Sequence, residues 1–194
     1  MQKQQAIAIA LASLPALGLA TRFALEGPGA NPIEDITHLT GDWALRLILV
    51  SLAITPLRRF ARLKGIAALR RTFGLAGFTY ACLHVLTWSI LDHGLVFEAI
   101  LEDLTERPYV MAGMSSFCLL LVLAVTSTRA SMRRLGKRWS TLHQLVYPAA
   151  ILAVIHHFWL TKADYRPALL HGAALALLLA ARIVWIVRQR AKTA

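Results

Sequence analysis

The sequence predicts an all-α integral membrane protein, a bundle of six transmembrane helices. Three observations carry that expectation. Of the 194 residues, 57% are hydrophobic and only 16% are charged, with a mean hydropathy of +0.57, which sets the chain apart from soluble domains. Six apolar segments recur along it. The connections between them alternate between basic and acidic.

The first segment, residues 6–25, follows Lys3 and has the look of a signal peptide. No convincing cleavage site follows it and five further segments do, so it reads as the first membrane helix. The second, 43–57, is short and could reach back through 38–42. The others are 73–91, 109–127, 142–161 and 168–187. Most approach the roughly 20 residues that a spanning helix needs. In hydrocarbon each segment must satisfy its own backbone hydrogen bonds, which leaves helices as the form. Pro15 and Pro148 fall inside segments and are expected to kink them. Gly74, Gly77 and Gly113 would permit close helix contact. Residues 27–32, GPGANP, read as a turn-rich external loop. Trp43, Trp88, Trp139, Trp159 and Trp185 each fall near a segment end, as an interfacial aromatic belt would place them.

The connection 54–72 carries Arg58, Arg59, Arg62, Lys64, Arg70 and Arg71 and no acid. The connection 126–141 carries Arg129, Arg133, Arg134, Lys137 and Arg138, again with no acid, and the tail adds Arg188, Arg190 and Lys192. The ten acids lie in the other connections: Glu26, Glu34, Asp35 and Asp42; Asp92, Glu98, Glu102, Asp103 and Glu106; and Asp164. By the positive-inside rule the basic loops and both termini are cytoplasmic. The net charge of +11 is therefore topological; it does not suggest nucleic-acid binding, because the basic residues sit in short blocks between apolar spans. One domain over 1–194 is expected. Cys82 and Cys118 lie in apolar segments outside any CxxC, so they read as small buried residues, with no disulfide framework or zinc site.

The histidines carry the chemistry. His38, His93 and His171 fall in or near external connections and read as surface or interfacial residues. His84 lies past the midplane of the third segment, and His156 and His157 lie at matching depth on the fifth, which enters from the same side. Ionisable groups in hydrocarbon are costly, so imidazoles at one height on two helices suggest a purpose. Bis-histidine haem ligation needs that arrangement; helix packing is the plain alternative, and too few further ligands lie nearby for zinc. His143 lies thirteen positions before His156, roughly 20 Å along a helix axis. A second haem at that depth would need a partner on the third segment, where Arg70 and Arg71 stand instead, so one well-defined outer haem is expected, with His143 left to ligate a weaker inner haem through another partner or to contact a different cofactor. At about 100° per residue His143 and His157 share a helix face better than His143 and His156 do, so helix phase favours His157.

Several stretches resemble a known family: RPYVMAG (107–113), LGKRWSTLHQLVYPAAILAVIHHFW (135–159), ITPLRR (54–59) and RRTFGLAGFTYACLH (70–84). They are similar to the haem-binding membrane subunits of bacterial periplasmic methionine-sulfoxide reductase systems. Those subunits belong to the ferric-reductase-like transmembrane superfamily, alongside NADPH oxidases and STEAP reductases. The likeness runs in order along nearly the whole chain. It implies a six-helix bundle in the bacterial inner membrane with haem b and, on the cytoplasmic side, FMN. It also implies electron transfer from a cytoplasmic flavin reductase or membrane quinol to an MsrP-like periplasmic molybdopterin subunit that repairs oxidised methionine. The family's haem histidines fall on His84, His143 and His156, so the resemblance prefers His156 where helix phase preferred His157. The basic residues Arg70, Arg71, Lys137 and Arg138 could hold a flavin phosphate, since guanidinium and ammonium groups suit phosphate.

The expected role is thus an electron-transfer subunit rather than a complete enzyme, since the sequence shows no nucleotide-binding domain of its own. The acid-rich stretch 92–106, with Glu98, Glu102 and Asp103, is the expected docking surface for the partner. Two rivals stand beside this reading. A histidine-dependent transporter or proton relay is disfavoured by the lack of acids within the spans. A cofactor-free membrane anchor would tolerate loss of His84.

Overall fold

The computed structural model describes residues 2–61 and 65–193, with side chains to 191; Arg62 and Lys64 of the first basic connection, and the Lys192 side chain, lie outside them. The described residues are helical throughout, with short connections and no strand. Five helices are long and apolar enough to cross a membrane. They are α1 (Gln2–Glu26), α2 (Pro32–Phe60), α3 (Ala67–Leu86, continued by a π turn over Thr87–Asp92), α5 (Pro108–Val125) and α9 (Arg166–Thr193). The expected fifth segment is divided. A short α7 (Lys137–Leu142) leads into a 3-10 turn, His143–Leu145, and then into α8 (Val146–Leu160). Pro148 accounts for the division, because it has no N–H to donate to the Gln144 carbonyl. Two further short helices, α4 (Phe97–Glu106) and α6 (Arg129–Leu135), were not foreseen.

α2 is much longer than its apolar stretch. Asn31 caps it by accepting from the Glu34 amide at 3.3 Å, Pro32 starts it, and Glu34 and Asp35 sit in its first turn, where the helix dipole favours acids. Asp35 also pairs with Arg22 of α1. As a result Asp42, expected in a connection, lies inside α2.

Two helix pairings build the core. The most extensive joins α2 to α3, the next α5 to α8. In the first, a Cβ at Gly77 would stand 3.0 Å from Ile48 Cγ1, 3.1 Å from the Ala44 carbonyl oxygen and 3.2 Å from the Ile48 amide nitrogen. Backbone cannot yield as a side-chain tip can. Gly77→Ala is therefore expected to destabilise the bundle by about 1–3 kcal/mol, the usual cost of overpacking, read as a lower midpoint in thermal unfolding; an unchanged midpoint would count against the tight α2–α3 contact. In the second pairing, Ala149 and Ala150 are fully buried, and Ser116 Oγ donates to the Ala149 carbonyl at 2.8 Å. Helix α1 is fastened near Pro15: the buried Tyr80 hydroxyl donates to the Ala12 carbonyl at 2.8 Å and accepts from the Ala16 amide at 3.3 Å.

The acidic stretch 92–106 is less uniform than its composition implied. Asp103 is only 7% exposed and accepts from Trp88 Nε1 (3.1 Å), His93 Nε2 (3.2 Å) and Arg107 Nε (2.8 Å). It clasps α4 to the π turn and to the start of α5, so it is not docking surface. Glu98 and Glu102 remain exposed. His93 is correspondingly drawn in, while His38 stays exposed beside Glu34. Cys118, expected to be buried, is exposed on α5, and Cys82 is half-buried.

Candidate cofactor sites

His84 on α3 and His156 on α8 face each other, with ring centroids 6.1 Å apart and planes at 77°. Each ring is oriented by a carbonyl of a neighbouring helix. His84 Nδ1 donates to the Thr37 carbonyl of α2 at 3.0 Å, and His156 Nδ1 donates to the Tyr109 carbonyl of α5 at 2.6 Å. That assigns the proton to Nδ1 in both and leaves Nε2 to ligate a metal, the arrangement in which an outer hydrogen bond fixes a ligating imidazole. A glycine lies against each ring. A Cβ at Gly41 would come within 3.0 Å of His84, and one at Gly113 within 2.7 Å of His156. With nitrogen–metal bonds of about 2.0 Å, two axial imidazoles stand about 6 Å apart by centroid. The pair therefore fits haem iron.

His157 points elsewhere. Its ring packs on His171 of α9 at 5.2 Å, and its Nδ1 lies 3.8 Å from Asp42 Oδ1. The helix-phase preference for His157 assumed one regular helix from His143 onward. The 3-10 turn changes the pitch there, so the count does not carry across. His171, expected at the interface, is buried, with 9% of its surface exposed.

Toward the opposite end of the bundle lies a cavity of about 380 Å³ whose lining includes Arg58, Arg59, Arg70, Arg71, Arg182, Trp139 and His143. His143 stacks on Trp139 at 4.0 Å, and its Nε2 lies 3.2 Å from the Thr126 hydroxyl. The Trp139 indole donates to the Thr126 carbonyl, which pins the stack to the end of α5. Arg59 lies over the Trp185 ring at 3.5 Å and Arg182 over Tyr147 at 4.8 Å, so these cations are held by aromatic faces rather than by acids. Of the four basic residues expected at a phosphate, Arg70 and Arg71 line the cavity; Lys137 and Arg138 stand exposed on α7 and do not.

Residues 40–154 match the family model of the ferric reductase like transmembrane component. The chain is 44% identical over 167 residues to the protein-methionine-sulfoxide reductase heme-binding subunit MsrQ of Herminiimonas arsenicoxydans, covering 84% of this chain and 77% of that one. It is 45% identical to the protein of that name from Bordetella pertussis (85% and 81% covered) and 40% identical to that from Ralstonia nicotianae (92% and 83%). The chain belongs to the ferric reductase-like transmembrane family, in its MsrQ branch. Within this MsrQ-type bundle His84, His143 and His156 all fall inside the described helices, and His84 and His156 are the two that meet. Gly41, Gly113, Thr37 and Tyr109 support them and were missed as site residues. Tyr109 and Gly113 lie in the RPYVMAG stretch, four positions apart and so on one helix face, a spacing from which they could have been found.

Proposed function

We propose that the chain is the transmembrane electron-transfer subunit of a methionine-sulfoxide reductase system, with haem b held between His84 and His156. The facing pair of imidazoles, each tied through Nδ1 to a carbonyl, is the observation that supports this reading most directly. The names of the MsrQ relatives agree with it. Haem iron supplies one-electron exchange between ferric and ferrous states. The chain's own part is to hold and tune. His84 and His156 would ligate through Nε2, the Thr37 and Tyr109 carbonyls would make those nitrogens better donors by accepting from the other side of each ring, and Gly41 and Gly113 let neighbouring helices approach the rings.

The sixth membrane crossing, in this reading, is α8 together with the 3-10 turn before it. These cover about 28 Å of a hydrocarbon core about 30 Å thick. Both termini and the basic connections then face the cytoplasm of a bacterial inner membrane. The arginine-lined cavity faces that side and takes FMN, whose phosphate Arg70 and Arg71 hold with Arg58, Arg59 and Arg182. His143 contacts the inner cofactor, whether that is FMN or a second haem. Electrons enter from a cytoplasmic flavin reductase or from quinol, and leave for a periplasmic molybdopterin reductase of the MsrP type. Glu98 and Glu102 remain the docking acids on the outer side.

The test is a dithionite-reduced minus oxidised optical spectrum of the purified protein. A b-type haem signal is expected; a colourless protein, expressed with ample haem, would end the electron-transfer reading. For the inner cavity, FMN released on denaturation is the measure. Arg70→Gln with Arg71→Gln should lower FMN affinity about tenfold or more, as the loss of charge-assisted bonds to phosphate would. Lys137→Gln with Arg138→Gln should leave it near wild type. Equal losses in both pairs would remove the cavity as the flavin site.

A further inference from the structure

Three side chains from three helices, none of them His84 or His156, converge in a second cluster. Asp42 comes from α2, His157 from α8 and His171 from α9. One potential ligand atom from each lies within 4.8 Å of the other two. His157 lies close to the end of α8 and His171 close to the start of α9, so the cluster sits near the connection between these helices.

Two of its nitrogens are unaccounted for. His171 Nδ1 and His157 Nε2 are buried and have no hydrogen-bond partner among the described residues. A buried polar atom left unpaired costs about 1–3 kcal/mol, so His171 Nδ1, next to a carboxylate and a second imidazole, calls for an occupant. Arg46 supplies the outer support. Its Nη2 donates to Asp42 Oδ2 at 2.9 Å, and its Nε lies 3.5 Å from His171 Nε2. This leaves Asp42 Oδ1 3.8 Å from His157 Nδ1, and His171 Nδ1 without a partner. An outer partner that steadies a ligating carboxylate is a regular part of metal sites.

We propose that Asp42, His157 and His171 bind a divalent first-row transition metal ion, at a site separate from the haem histidines. Two imidazoles and one carboxylate form a donor set suited to zinc, copper or iron, and ill suited to magnesium or calcium, which prefer all-oxygen ligands. Ligand atoms around a four-coordinate ion with bonds of 2.0–2.1 Å stand about 3.3 Å apart, so the Asp42–His157 approach needs to close by only about half an ångström. Three protein ligands leave a position open for water or a further ligand. Coordination through His171 Nδ1 places that ring's proton on Nε2, so the Arg46 Nε approach opens while Nη2 keeps its hold on Asp42.

The experiment is equilibrium dialysis of the full-length, chelator-stripped protein against Zn²⁺, with zinc counted per chain by mass spectrometry and the haem spectrum recorded on each sample. The wild type is expected to take up about one zinc per chain, with Asp42→Asn and His171→Ala each weaker by about tenfold or more. A wild-type chain that holds no zinc above background overturns the proposal, and so does equal binding by Asp42→Asn and wild type. Asp42→Asn keeps the side-chain shape, so its result decides the matter even if His171→Ala fails to fold. Because zinc is counted per chain, the outcome stands whether or not the haem assignment does.

Discussion

Alanine at His84 or at His156 is expected to abolish the b-type haem signal, and alanine at His157 to preserve it. This is the largest effect expected of any single substitution in the chain. His84 and His156 are the two imidazoles that face each other, 6.1 Å apart, with Nδ1 already committed to a carbonyl. Outer-shell changes at metal sites cost about 10- to 100-fold in affinity, and removal of an axial ligand should exceed that range. His157 is engaged with His171 and Asp42 instead. The check is the reduced-minus-oxidised spectrum of the three variants, normalised to protein. A signal that survives His156→Ala and vanishes with His157→Ala would mean that the ligand is the neighbouring residue and that α8 is rotated from its position here.

Gly113→Ala should be the next most damaging change at this site, and more so than Gly41→Ala. A Cβ at position 113 would lie 2.7 Å from His156 Nδ1, 2.9 Å from Cε1 and 3.1 Å from Cγ, spanning one side of the ring. The ring has little freedom to retreat, because the same Nδ1 is held by the Tyr109 carbonyl, one turn away on the same helix. At Gly41 the nearest approaches to His84 are 3.0 Å and the third is 3.7 Å, which a small tilt relieves. Haem affinity should fall about 10- to 100-fold in Gly113→Ala, and distinctly less in Gly41→Ala. Haem titration with spin-state spectroscopy separates the two. A Gly113→Ala protein with wild-type affinity and spectrum would show that His156 does not lean on α5.

Composition and charge alternation made the helical, membrane-spanning character legible, because both are additive properties of the chain. The boundaries were less so. The first three turns of α2 hold Glu34, Asp35, Thr37, His38, Thr40 and Asp42, whose polarity hid a helix set by Asn31 and Pro32. In the sequence Asp103 reads as one acid among several, since nothing local shows that Trp88, His93 and Arg107 converge on it. The pairing of His84 with a histidine of the fifth segment could be read from depth alone. The choice between adjacent histidines could not, because it depends on a break in helix pitch at residues 143–145. Lys137 and Arg138 resemble phosphate ligands by charge, yet the cavity draws Arg58, Arg59 and Arg182 from other helices.

The two facing imidazoles belong to different halves of the molecule. His84 is zipped to α2 through Thr37, and His156 to α5 through Tyr109, so each is anchored within its own tightly packed helix pair. A cofactor gripped by both would act as a rivet between the two helix pairs. Ligand bound only by the joined state stabilises it by about 2.7 kcal/mol at a hundredfold excess over its dissociation constant. Iron and porphyrin supply would then set not only how many molecules can carry electrons, but also how many survive membrane quality control.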